Sequence, residues 1–102
     1  KKINMVKDLK NPEVKLKTIQ FINHVNKDIE IYHKPKGFNI YTDNINKCKK
    51  ITISGSLKVN CILNIQTQDG DEFIIGYFSN NEFLMIRIIT TDITKDSIII
   101  KM

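Results

Sequence analysis

Asp69–Thr91, with the sequence DGDEFIIGYFSNNEFLMIRIITT, has the pattern of a β-hairpin. Its two halves, Phe73–Phe78 and Phe83–Thr90, are rich in aromatic and branched aliphatic residues, which favour strands. The residues between them, Ser79–Glu82, are polar and typical of a turn. We therefore predict two adjacent antiparallel strands and place the rest of the chain around them.

The alternation of side chains along a strand assigns the residues of this hairpin to faces. In the second strand, the more uniformly apolar face is predicted to be core and contains Leu84, Ile86, Ile88 and Thr90. The opposite face contains Phe83, Met85, Arg87 and Ile89. Phe73–Phe78 is apolar on both sides, which indicates a central strand that is covered twice. Gly76 within it predicts a bend or a close backbone approach.

A third strand is predicted before the hairpin, at Val59–Thr67, because Asp69 and Gly70 form a turn signal between the two segments. Together the three strands would form an antiparallel meander. A strict alternation precedes the turn and predicts a buried face formed by Leu57, Val59, Cys61, Leu63 and Ile65.

The N-terminal part of the chain has the signals of a helix start. Asn11 suits an N-cap, Pro12 the first helical position, and Glu13 the positive end of the helix dipole. The helix is predicted to run to about Asn26 and to cover the sheet with an apolar stripe, and a further helical turn is predicted at Lys1–Lys10. The stripe consists of Val14, Thr18, Phe21, Ile22 and Val25.

The predicted fold class is α+β, with one main N-terminal amphipathic helix. About seven mostly antiparallel strands follow it and form a curled sheet or a small, partly open barrel. The chain 1–102 is predicted to be a single domain, with a helical segment at 1–28 and a β meander at 29–102. Residues 29–33 and 38–42 are predicted to pair as a hairpin around a turn at Lys34–Gly37. In strand number alone, this outline is shared by OB-like and Sm-like barrels and by pleckstrin-homology-like sandwiches, although the C-terminal helix of the last is missing.

The composition combines a net charge of +5 with 15 lysines and a single arginine. Lysine, isoleucine and asparagine are all abundant, which is also what A+T-rich codons produce, so two explanations of the charge stay open. Because the first residue is lysine, the chain is expected to be a fragment or a processed product.

The two cysteines are predicted to be reduced thiols in an intracellular protein, although a disulfide is possible if their strands are neighbours. Cys61 lies among apolar residues and is predicted to be buried, whereas the lysines around Cys48 are expected to lower its pKa. No signal peptide or transmembrane run is visible.

Catalytic patterns are sparse. A nucleophile–histidine–acid arrangement requires His24 or His33, and each is better explained as a surface residue. The sequence contains neither a glycine-rich phosphate loop nor a metal-ligand spacing. We predict no catalytic residues, no metal and no cofactor, and keep a small histidine-dependent enzyme only as a remote alternative.

Binding is therefore the predicted class of function. The first hypothesis is a non-catalytic interaction domain, a module of a larger assembly, that binds a protein partner or forms a homo-oligomer. One helix cannot cover both faces of seven strands, so either the sheet folds over on itself or another subunit or partner completes one face. The predicted protein interface consists of Phe83, Met85 and Arg87.

The alternative hypothesis is lysine-dependent binding of RNA, DNA or another polyanion. Two tyrosines near the lysines are candidates for stacking on bases. A single arginine argues against sequence-specific recognition. The predicted polyanion-binding residues are Lys34, Lys36, Lys47, Lys49, Lys50, Tyr32 and Tyr41.

Overall fold

The computed structural model describes residues 15–102, which form two β-sheets. The strands are β1 (Lys17–Asn23), β2 (Glu30–Lys34), β3 (Lys49–Lys50), β4 (Ile62–Thr67), β5 (Glu72–Ser79), β6 (Glu82–Thr90) and β7 (Ser97–Ile100). A three-stranded sheet has the order β4–β1–β7, and a four-stranded sheet has the order β3–β2–β5–β6. A 3₁₀ turn, Ile45–Lys47, lies in the connection between β2 and β3.

The predicted α+β class with an N-terminal helix is wrong, because the second half of the predicted helix is β1. Ile19 and Phe21 are fully buried, and the neighbouring residues Thr18 and Gln20 are exposed. That burial has a period of two, which a strand requires, whereas the helical stripe relied on Thr18 as a buried position. Within residues 15–102 no helix reaches seven residues. The predicted segments Lys1–Lys10 and Asn11–Glu13 lie outside the described residues.

The predicted hairpin is confirmed, since β5 and β6 pair antiparallel along their whole length. Asn80 and Asn81 have φ values of 53° and 67° and connect the strands in a two-residue turn. Asparagine tolerates these left-handed conformations, and such turns match the twist of paired strands. β5 lies between β2 and β6, as its two apolar faces predicted.

The predicted meander is wrong at its first strand, because β4 pairs with β1 in the other sheet and not with β5. Residues 68–71 cross from one sheet to the other. The Asp71 carboxylate accepts hydrogen bonds from the Thr67 hydroxyl at 3.0 Å and the Gln68 amide at 2.9 Å. The buried Thr91 hydroxyl donates to the Gln68 carbonyl at 2.8 Å. These bonds connect residues 68–71 to the residue that follows β6. The turn signal at Asp69–Gly70 therefore marks the place where the chain passes from one sheet to the other.

Residues 38–42, predicted as a return strand, instead belong to a long loop, 35–48, between β2 and β3. Short-range bonds bend the chain here: the Asn39 amide donates to Asp43, and the Tyr41 amide donates to Asn39, each at 2.8 Å. Asn and Asp side chains that bind nearby amides compete with strand pairing. The loop crosses the outer face of the four-stranded sheet, where Phe38 and Ile40 pack.

The main core lies between the two sheets, which therefore form a sandwich and not an open barrel. Phe21 from one sheet and Phe73 from the other meet edge to face, with ring centroids 5.3 Å apart. Such a pair adds about 0.5–1.5 kcal/mol beyond the burial of its area. The buried members are Ile19, Phe21, Val25, Ile29, Ile31, Leu57, Ile65, Phe73, Ile75, Ile89 and Ile100.

A β-bulge interrupts the pairing of β5 and β6 and corrects the predicted faces of β6. Ile75 pairs with Arg87 and Gly76 with Met85, so Ile86 is the extra residue. Side chains on opposite sides of a bulge no longer follow one alternation. The predicted core face is therefore wrong as a set: Ile86 and Ile89 pack on the inter-sheet core, and Ile88 packs on the outer face.

The predicted environments of the two cysteines are both wrong. Asn60 has a φ of 64°, and this turn interrupts the alternation, so β4 begins only at Ile62 and leaves Cys61 exposed. Cys48, the last residue of the loop 35–48, is buried, and this burial raises its pKa despite the opposing charge of Lys34. Both thiols are free.

Candidate functional site

An apolar groove opens on the outer face of the four-stranded sheet, between the loop 35–48 and the β5–β6 hairpin. Its volume is about 400 Å³. Polar side chains line it as well, among them Asp43, Asn44 and Asn81. We call this feature the hairpin groove and define it by its apolar lining: Phe38, Ile40, Ile45, Ile74, Phe78, Phe83 and Met85.

The hairpin groove combines a fixed floor with exposed walls. Phe83 stacks edge to face with both Tyr32 and Phe78, with centroid distances of 5.4 and 5.3 Å. Ile74 at the floor is 1% exposed, whereas Phe78 and Met85 are each 45% exposed. Large apolar side chains grouped with polar groups in a concave surface are typical of binding sites. The site therefore offers an apolar pocket held in place by aromatic packing.

β6 borders the groove and is an edge strand, because within the described residues it pairs only with β5. It is nine residues long. An edge strand has a row of backbone N–H and C=O groups on its open side that another strand can pair with. An apolar pocket and an open strand edge thus lie side by side.

Two of the three residues predicted as a protein interface lie in this groove. Phe83 pairs across the hairpin with Phe78, and Met85 with Gly76, on the outer face. Arg87 pairs with Ile75, a residue of the inter-sheet core, so the bulge places Arg87 on the opposite face. Sequence reasoning missed the contribution of Phe38 and Ile40, because residues 38–42 were predicted to form a strand, and it also missed Ile45.

The lysines of the alternative hypothesis lie closer together than the predicted hairpin allowed. The ladder of β2 and β3 places His33 opposite Lys49, and Lys34 follows on the same strand. Acidic side chains, however, offset much of this charge. Three of the lysines have partners: Lys34 with Glu72 at 2.9 Å, Lys47 with Asp43 at 3.3 Å, and Lys50 with Glu30 at 3.5 Å.

The two tyrosines predicted to stack on bases differ in exposure. Tyr41 is 89% exposed on the loop. Tyr32 is 5% exposed, and its hydroxyl donates to Glu30 at 2.6 Å. Burial, and after it the hydrogen bond to Glu30, raises the pKa of Tyr32. Only Tyr41 is therefore accessible to a base in this structure.

The two histidines lie in separate places. His24 is exposed after β1. The Nε2 atom of His33 lies 3.7 Å from a carboxylate oxygen of Asp71, and its ring packs on the edge of Phe73 at 5.4 Å between centroids. The other carboxylate oxygen of Asp71 accepts a hydrogen bond from the Thr67 hydroxyl, at the point where the chain crosses between the sheets. Asp71 thus lies beside His33 and stabilises the crossing between the sheets.

A second apolar surface lies on the outside of the three-stranded sheet. Ile22 pairs with Ile62 on one side and with Ile99 on the other, so the three side chains form a row across the strands. Ile62 is 52% exposed and Ile99 44%. Polar residues of the same strands, such as Gln20 and Asn64, flank the row.

Comparisons with protein-family models, with curated proteins and with solved structures gave no match. The function must therefore be inferred from the geometry of this chain. Among residues 15–102 there is no helix that is long and apolar enough to span a membrane.

Proposed function

We propose that this chain is a non-catalytic interaction domain that binds protein through the hairpin groove and the adjoining edge of β6. The observation that carries the proposal is the exposure of Phe78 and Met85 in one pocket beside an open strand edge. Burying a phenylalanine or methionine side chain stabilises a complex by up to about 1.5–3 kcal/mol.

The chemistry of the surface selects the class of ligand. An extended polypeptide pairs its backbone with a strand edge and places alternate side chains to one side. The same ligand would insert an apolar side chain between Phe78 and Met85 while its backbone pairs with β6. The partner is thus an extended segment with apolar residues at every second position.

The test is a peptide selection against the immobilised domain, followed by fluorescence-anisotropy titration of the enriched peptides. We expect Met85→Asp to weaken their binding at least about tenfold, the loss that corresponds to ~1.4 kcal/mol. Ile53→Asp is the matched control, because Ile53 is 82% exposed and is not part of the hairpin groove.

Circular dichroism of both variants separates binding from folding. Unfolding of Met85→Asp would assign Met85 to the core and remove the interface. Equal binding by both variants in the folded state would also contradict the proposal.

A second candidate function, lysine-dependent polyanion binding, is supported by the exposure of Lys36, Lys49 and Tyr41. The joint substitution of Lys47, Lys49 and Lys50 by glutamate should abolish a salt-sensitive affinity for mixed-sequence RNA or DNA. Anisotropy titrations at low and moderate salt check this, with circular dichroism as the folding control. Flat curves of the unsubstituted protein at low salt would exclude this candidate.

A further inference from the structure

We infer that the segment bound at the edge of β6 is β6 of a second copy of this chain, paired antiparallel about a twofold axis. The inference rests on the proposed function and names its partner. β6 contains no proline and no lysine, the residues that most often block pairing at an edge. Its two charged residues, Glu82 and Arg87, have opposite signs and are the first and the sixth of its nine residues.

The faces of β6 follow from its pairing with β5. Glu82, Leu84 and Arg87 pair with alternate residues of β5, namely Ser79, Tyr77 and Ile75, so the alternation places them on one face. Glu82, the first residue of the strand, also lines the end of the hairpin groove. Phe83 and Met85 share the other face, which is that of the hairpin groove. The bulge at Ile86 is the reason that Glu82 and Arg87 lie on the same face although they are an odd number of residues apart.

One register of self-pairing matches these faces and charges. With the twofold axis at Leu84, Phe83 lies opposite Met85 of the partner subunit. Glu82 then lies opposite the bulge, where it meets Arg87 of the partner subunit. Symmetry repeats this contact, so two pairs of opposite charge form at once.

The neighbouring registers lose this match. An axis at Phe83 places Glu82 opposite Leu84 of the partner subunit, and an axis at Met85 places it opposite Ile89 of the partner subunit. In both cases neither charge faces its opposite. Charges at the rim of an interface determine the register and the choice of partner. The charge pattern of β6 therefore favours the axis at Leu84.

The proposed pairing also uses the apolar surface. A twofold axis perpendicular to the sheet leaves both hairpin grooves on the same side of the enlarged sheet. Met85, now 45% exposed, would be covered by Phe83 of the partner subunit. The dimer thereby joins two four-stranded sheets into one continuous sheet and removes the open edge of each.

The test is sedimentation velocity of the full chain from about 1 μM to about 500 μM, a range that spans weak association. We expect a monomer–dimer equilibrium. Glu82→Arg and Arg87→Glu should each weaken it at least about tenfold, because each places like charges opposite each other twice. Asp28→Arg and Lys95→Glu make the same changes in net charge at exposed positions outside β6 and should leave dimerisation within about twofold of the unsubstituted protein.

Mixing the two β6 variants is the decisive measurement. The Glu82→Arg chain carries two cations on this face, and the Arg87→Glu chain carries two anions. Each chain alone repels its copy, whereas the mixture should form a heterodimer, and the double variant Glu82→Arg/Arg87→Glu should dimerise again. Circular dichroism establishes that every variant is folded.

The outcomes separate the two proposals. A protein that stays monomeric throughout, yet binds selected peptides in a Met85-dependent way, overturns the dimer and leaves the proposed function standing. A dimer that neither reversal weakens overturns the β6 register and points to another surface, such as the row Ile22, Ile62 and Ile99. If neither self-association nor peptide binding is observed, both proposals fall.

Discussion

The two faces of the four-stranded sheet are both apolar but are covered in different ways. On the inner face, the three-stranded sheet covers Phe73 and Ile75, which are 2% and 0% exposed. On the outer face, the loop 35–48 covers Ile74 but leaves Phe78 and Met85 each 45% exposed. The two faces therefore differ in the segment that packs on them, which is a sheet on the inner face and a loop on the outer face.

A sheet satisfies its own backbone groups and presents a regular surface that packs closely. The loop satisfies its backbone locally, through Asn39, Asp43 and Asn44, and these polar residues cannot fill an apolar gap. The hairpin groove is therefore left between the loop and the β5–β6 hairpin. The inner face thus provides stability, and the outer face is the part of the molecule available for binding.

Truncation of one phenylalanine on each face is the strongest way to test this contrast. We expect Phe73→Ala to lower the free energy of unfolding by about 3–5 kcal/mol, because it leaves a cavity in the closed core. Phe78→Ala removes the same atoms from a half-exposed position and should cost less than about 1 kcal/mol. Urea denaturation measures both, and equal losses would mean that the two faces are closed to the same degree.

The sequence predicted the hairpin of β5 and β6 because the information is local: two apolar runs and a turn of Asn80 and Asn81. It did not predict the partner of β4, because the choice between β1 and β5 depends on contacts distant in sequence. The N-terminal prediction failed since Phe21 fits both a helical and a strand period. Only the burial of Ile19 against the second sheet decides between them.

Addition of a methyl group at Gly76 tests how closely the hairpin packs at the bulge. A Cβ atom there would lie 2.5 Å from Cζ of Phe83 and would also overlap the carbonyl oxygen of Leu84. We expect Gly76→Ala to destabilise the fold by about 1–3 kcal/mol, an intermediate effect, because the clash includes backbone. Urea denaturation of Gly76→Ala measures the loss.

The double variant Gly76→Ala/Phe83→Leu provides the control, since it relieves the ring contact but not the carbonyl contact. Its destabilisation should be less than the sum of the single changes. Additive losses would show that the ring of Phe83 is free to move away and does not pack on Gly76 as in this structure.

The candidate site was predictable only in part, for the same reason as the fold. Phe83 and Met85 were found because both faces of β6 are apolar. The position of Arg87 was not predicted, because the bulge moves it to the other face. That bulge lies where Gly76, which has no side chain, allows the backbone of Leu84 to come close. The loop residues Phe38 and Ile40 were missed because alternation alone does not separate a strand from a loop held by Asn39 and Asp43.

The smallest expected effect concerns the alkaline stability of the outer face, through Tyr32. Burial and the hydrogen bond to Glu30 raise its pKa in the folded protein above that of the unfolded chain, which is about 10. Below pH ~10 both states keep the proton, and the contribution to stability is complete. As the pH rises further, the unfolded state loses the proton first, so the free energy of unfolding falls.

Tyr32→Phe removes this group, and its denaturation midpoint should fall less steeply between about pH 9 and about pH 11 than that of the unsubstituted protein. Tyr41→Phe removes a phenol that is 89% exposed and serves as the matched control, which should leave the slope unchanged. Urea midpoints at several pH values measure all three proteins. Identical slopes for Tyr32→Phe and the unsubstituted protein would mean that water reaches the Tyr32 hydroxyl, and that the loop covers the outer face less completely than its contacts with Tyr32 and Cys48 indicate.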